Sequence, residues 1–141
     1  MTPVLQALVV ADRVYEDKGT GKKIIAGTFS RLFFKKPAPA GQPIQIPPSG
    51  AQIGSPFAYI SLTDIHGMAK LTIRYVRLDD PESKPIFQTE AINVKCEDRL
   101  ATVELAIPLP PLPIIKGVFA LEVLCEGALL GSHKIVVDEA P

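Results

Sequence analysis

Apolar and polar positions alternate most cleanly near the C-terminal end of the sequence. Phe119, Leu121, Val123 and Cys125 fall on one side of an extended segment, and Val118, Ala120, Glu122 and Leu124 fall on the other. A two-residue period carried by β-branched and aromatic residues marks a strand. A second strand follows over 128–137, and Glu126-Gly127 stands between them, with glycine supplying the positive φ of a tight turn. A two-residue turn there sets Cys125 against Ala128 and Ala120 against His133. A three-residue turn with a bulge at Gly127 sets Leu124 against Ala128, and brings Leu129, His133, Ile135 and Val137 to the Phe119 side. The second register is preferred because it buries Ile135 and Val137 and exposes Lys134. It makes His133 a hydrogen-bonded histidine on the core side rather than a ligand.

The same period recurs upstream. Residues 4–15 place Leu5, Ala7, Val9 and Ala11 on one face and Val4, Gln6, Leu8, Val10 and Asp12 on the other. Val9, Val10 and Val14 favour strand over helix. Across the charged loop 16–23, residues 24–34 predict a partner strand in a wide hairpin. Gly27 in its middle predicts a bulge or a close backbone approach. Further strands are predicted over 57–65, 70–78, 86–96 and 100–107, near the ~8–12-residue spacing of sandwiches. No amphipathic helix is evident. The expectation is an all-β, antiparallel two-sheet β-sandwich of about eight strands, immunoglobulin-like, with residues 1–141 as a single domain.

Proline changes this picture at two places. The chain has 14 prolines, about twice the usual ~5% share. Pro37, Pro39, Pro43, Pro47, Pro48 and Pro56 define a Pro/Gly-rich loop at 35–56, long for a compact domain and a candidate for function. Pro108, Pro110, Pro111 and Pro113 form the second cluster. Its PxxP spacing suits a polyproline groove ligand. Flanked by Ile107 and Ile114, it reads better as a rigid crossover between sheets, with Leu109 and Leu112 packed at the sandwich end.

Charge narrows the function classes. The 15 basic and 15 acidic residues cancel, so no overall field draws a phosphate backbone or an anionic membrane. Tryptophan is absent, and no aromatic pattern of an RNA-binding sheet occurs. Lys22-Lys23 and Lys35-Lys36 read as solvated strand ends that discourage strand pairing. Neutrality leaves self-association open. The N-terminal segment has no basic run, and Ala7–Ala11 is too short for a signal core or a membrane span. A cytoplasmic protein is expected, with Cys96 and Cys125 as buried thiols; a disulfide between the two sheets is the alternative.

Candidate chemistry is sparse. Gly19-Thr20-Gly21-Lys22-Lys23 lacks the spacing and the strand–helix setting of a phosphate loop, and reads as a hairpin loop. Asp64 and His66, in Asp64-Ile65-His66-Gly67, are the candidate metal ligands or acid–base pair. No third partner can be named, and Asp and Gly favour a polar turn anyway. Asp79, Asp80 and Glu82, and likewise Glu97 and Asp98, offer carboxylates without the alternating calcium-loop pattern. No nucleophile elbow is present, and neither cysteine sits at an activating helix N-terminus. No cofactor is implied.

The ending Gly117-Val118-Phe119-Ala120-Leu121-Glu122-Val123, with Gly127, Gly131 and Val137, resembles the final hairpin of immunoglobulin-like and fibronectin-type-III-like domains. Together with Leu5-Gln6-Ala7-Leu8-Val9-Val10-Ala11-Asp12, Ile24-Ile25-Ala26-Gly27-Thr28-Phe29, Ala101-Thr102-Val103-Glu104-Leu105 and Leu109-Pro110-Pro111-Leu112-Pro113, it resembles a family of small uncharacterised bacterial proteins. That resemblance implies the β-sandwich fold and carries no site. The immunoglobulin hallmarks of a buried tryptophan and a widely spaced cysteine pair are not met. The functional expectation is a non-enzymatic binding or assembly module that presents loops or an edge to a protein partner. A metal-dependent protein or enzyme using Asp64 and His66, and a structural homo-oligomer, are the alternatives.

Overall fold

The computed structural model describes residues 2–34, 55–80 and 82–140. They form ten strands: β1 (Val4–Glu16), β2 (Lys23–Thr28), β3 (Arg31–Phe34), β4 (Phe57–Thr63), β5 (Gly67–Arg77), β6 (Phe87–Gln88), β7 (Ile92–Cys96), β8 (Val103–Pro108), β9 (Gly117–Cys125) and β10 (Ala128–Glu139). One sheet runs β2-β1-β4-β8; the other runs β3-β10-β9-β5-β6, with β7 also paired to β5. Val10, Ala58, Ile60 and Leu62 from the first sheet meet Leu71, Ile73, Tyr75, Phe119, Leu121, Val123, Ile135 and Val137 from the second in one buried core. Among the described residues there is no helix long and apolar enough to cross a membrane.

The count exceeds the expected eight because two predicted strands are broken. Residues 24–34 split at Phe29-Ser30. Up to Thr28 the chain pairs with β1; from Arg31 it lies beside β10 in the opposite sheet. The β3–β10 pair is parallel, which departs from the all-antiparallel expectation. It follows from a chain that changes sheets without reversing direction. Gly27 stands just before the crossing with φ +75°, and a Cβ there would run into the Asp12 side chain. The predicted close approach is therefore real. Residues 86–96 split into β6 and β7, both antiparallel to β5.

Strand β1 carries a bulge between Leu5 and Ala7, and this corrects the expected faces. Leu5 pairs with Leu62 and Leu8 with Ile60, so both join Val10 on the core side. The extra residue allows two apolar side chains three apart to point inward.

The C-terminal hairpin differs from the preferred register. The turn is the two-residue Glu126-Gly127, with φ 49° and 87°, and Cys125 faces Ala128. A bulge between Leu129 and Gly131 then shifts the pairing, so His133 faces Leu121 and Ile135 faces Phe119. The expected inward face of His133, Ile135 and Val137 is reached, but through this later bulge rather than one at Gly127. Leu129 is left outside, facing Leu124. At the bulge, Gly131 receives the Leu5 side chain from the other sheet, which a Cβ would displace. The His133 Nε2 atom lies 2.8 Å from the Phe29 carbonyl oxygen, so this ring secures the chain where it changes sheets.

The segment after β8 crosses from the four-stranded to the six-stranded sheet. Leu109 and Leu112 are both buried, and the Leu109 amide donates to the Pro56 carbonyl at 2.8 Å. The second proline cluster is thus the crossover its flanking isoleucines suggested. Cys96 and Cys125 are free thiols in the same sheet, on strands either side of β5, so the inter-sheet disulfide does not occur; Cys125 is buried as expected, but Cys96, near the end of its strand, is only half-buried. The Pro/Gly-rich loop at 35–56 lies outside the described residues except for Ser55 and Pro56. Its flanks, Phe34 and Pro56, meet Ala140 and Leu109 at the proline-crossover end.

Candidate functional site

Three turns gather at the opposite end of the molecule. Pairing of Gly67 with Cys96 brings the β4–β5 turn beside the β7–β8 turn. Pairing of Leu71 with Cys125 brings the β9–β10 turn alongside, and the Glu126 amide reaches the Lys70 carbonyl. This is where the sequence candidates Asp64 and His66 lie.

Asp64 occupies the left-handed region, φ 58°, which Asp tolerates better than most residues. Its amide donates to the Arg99 carbonyl at 3.1 Å, and its Oδ2 accepts from the Thr63 hydroxyl at 3.1 Å. Asp64 therefore links two turns through its backbone. His66 is exposed and contributes its carbonyl to the Met68 amide at 2.9 Å. Among the described residues, no group of three or more His, Cys, Asp or Glu side chains is arranged to hold a metal ion. The structure brings Asp64 and His66 together only as members of one short polar turn.

The other acidic clusters are also occupied locally. Asp79 accepts from Arg77 at 2.7 Å, and this hydrogen bond holds its carboxyl below the ordinary value. Asp80 Oδ1 accepts from the Glu82 amide. In the β1–β2 loop, Asp17 takes the Thr20 hydroxyl at 2.6 Å and the Gly19 amide at 3.3 Å. That is a hairpin turn braced by an aspartate, not a phosphate cradle.

The feature that the sequence reading missed is Leu100. The alternation predicts a strand from Leu100, but the strand starts at Val103. Leu100 instead sits on the β7–β8 turn with 89% of its surface exposed. Asp98 builds that turn: its Oδ1 accepts from the Leu100 amide at 2.9 Å, and its carbonyl accepts from the Ala101 amide at 3.1 Å. The Cys96 thiol donates to the same carbonyl. A signal was present in the alternation, because Leu100 shares parity with Thr102 and Glu104 on the polar side. Met68 and Leu129, about half exposed, belong to the same end. Lys95, Glu97, Asp98 and Arg99 precede Leu100 in the sequence with mixed charge, and Lys95 pairs with Met68. An apolar side chain held out by a hydrogen-bonded turn can enter a pocket on another molecule; it cannot donate, accept or transfer a proton.

The chain matches no protein-family model, and no curated protein matches it.

Proposed function

We propose that this protein is a non-enzymatic binding module that presents the Leu100 end to a protein partner. The observation that carries this reading is the near-complete exposure of Leu100 on a turn built by Asp98. Exposing a leucine forgoes about 1.5–3 kcal/mol of burial, and a bound partner restores it. An apolar anchor flanked by charged residues fits an interface centre with a polar rim.

The scaffold reading is immunoglobulin-like. Support comes from the strand order: β1-β4-β8 faces β10-β9-β5, as strands A-B-E face G-F-C in those domains. Tyr75, fully buried on β5, stands on the strand that carries the buried tryptophan there. The loops at one end of such sandwiches are a familiar place for recognition. A cytoplasmic setting is supported by the two free thiols.

The test is crosslinking in extract of the cells that make the protein, with Leu100→Ser beside the wild type and Lys134→Ala as a control. A partner captured by the wild type and the control, but lost with Leu100→Ser, is the expected result. Equal capture by all three overturns the assignment of this end.

A further inference from the structure

The outer side of β8 meets no other strand among the described residues. Which backbone groups it presents follows from the ladder with β4. The Leu109 amide bonds the Pro56 carbonyl directly opposite, and hydrogen-bonded pairs alternate along an antiparallel ladder. Ile107, Leu105 and Val103 therefore exchange their bonds with β4, facing Ala58, Ile60 and Leu62. Glu104 and Ala106 aim their amide and carbonyl groups at the open side. Pro108 has the same phase and no amide, so it bounds the pairing stretch.

This edge differs from the others described. Strand β2 carries Lys23 and the bent Gly27; β3 is four residues long and begins at Arg31; β6 is two residues long; β7 carries Lys95. Lysines, short strands and local bends are the usual guards against strand addition. Strand β8 has one charged residue, Glu104, and the Tyr59 hydroxyl on neighbouring β4 donates to its carboxylate. The charge is drawn across the sheet surface, away from the open side.

We propose that β8 is a homodimerisation edge, pairing antiparallel with β8 of a second copy about a two-fold axis at Leu105. The spacing is self-complementary. Glu104 falls opposite the second copy's Ala106, and Ala106 opposite its Glu104, so each outward pair exchanges both backbone bonds. Leu105 lies on the axis, and no two carboxylates face each other. The two four-stranded sheets become one continuous sheet, and a chain of zero formal charge offers no net repulsion to oppose it. This edge is separate from the Leu100 turn and does not depend on it.

Sedimentation or light scattering of the full chain over a concentration series tests the pairing. The wild type should pass from monomer to dimer. Ala106→Pro removes the outward amide without touching the bonds to β4 and should abolish the dimer. Ala106→Glu sets a carboxylate against the second copy's Glu104 twice and should weaken association about tenfold. Ala106→Lys at the same exposed site should keep or strengthen it. Circular dichroism and thermal melts confirm that each variant is folded; if the proline variant is not, the charge pair decides. A wild type that stays monomeric at every concentration overturns the proposal. So does a dimer indifferent to Ala106→Glu, or one that Ala106→Lys weakens as much. Leu100→Ser should leave the mass unchanged, which keeps this result distinct from the loop-end reading.

Discussion

The ring of Tyr75 stacks on that of Phe119, with centroids 5.3 Å apart and planes 7° from parallel. Phe87 stacks on Tyr75 at 5.5 Å. This puts a phenol in the middle of the apolar core, and its hydroxyl has no hydrogen-bond partner among the described residues. A buried, unbonded hydroxyl carries a desolvation cost without a compensating bond. Tyr75→Phe should keep the aromatic stack and raise stability by about 1 kcal/mol. Denaturant melts will show it; a loss of stability would mean that the hydroxyl has a partner after all.

Alkaline stability follows from the same ring and from Tyr59. Burial pushes the Tyr75 hydroxyl above its ordinary value. Burial, then the Glu104 carboxylate, does the same to Tyr59. Both keep their protons in the folded chain to higher pH than in the unfolded one. The unfolded chain ionises first, near about pH 10. Their ionisation therefore takes nothing from folding stability below that pH, and stability falls as pH rises from there through the folded values. Melts between about pH 8 and 11 should show a decline that is shallower in Tyr59→Phe/Tyr75→Phe. An unchanged slope in the double variant would assign the decline to other groups.

Gly27 faces two demands at once: φ of +75° and the Asp12 side chain where a Cβ would go. The left-handed conformation alone costs a non-glycine residue about 1–2 kcal/mol. Gly27→Ala should destabilise by at least that much. In an Asp12→Ala background the cost should fall but not vanish, because the backbone demand remains. Urea melts of the four-member cycle separate the two parts, and a fully additive cycle would rule out the contact.

Leu100→Ser should change stability by no more than about 0.5 kcal/mol, as expected for a surface site away from the core. The substitution leaves the Asp98 turn bonds intact, because they are made by main-chain amides. A large drop in melting temperature would mean that Leu100 packs within the fold and would remove it from the binding argument.

Much of the architecture was legible because it rests on parity. Alternation at Phe119, Leu121 and Val123 marked the core face, and the isoleucines around 108–113 marked a crossover. Legibility ended where one residue or one hydrogen bond shifts the phase. The bulges at Gln6 and Leu130 exchange faces without changing composition. The change of sheet at Phe29-Ser30 falls inside a segment, 24–34, whose two-residue alternation continues across it. The turn at 97–102 depends on one Asp98 carboxylate, so Leu100 looked like the start of a strand. Asp64 and His66 are residue types suited to chemistry, yet their contacts belong to turn-building. Nothing in residue type alone could indicate that Asp64 would be tied by its amide to Arg99.

The parallel contact between β3 and β10 has a consequence for biosynthesis. Leu32 and Val137 are neighbours in the sheet but lie 105 residues apart in the chain. The early segment 31–34 therefore leaves the ribosome long before β10, its strand neighbour among the described residues, exists. Such distant closure is the slow kind. Completion of this β3–β10 pair must wait for β10, and until then β3 stays available to chaperones or to strands of other chains.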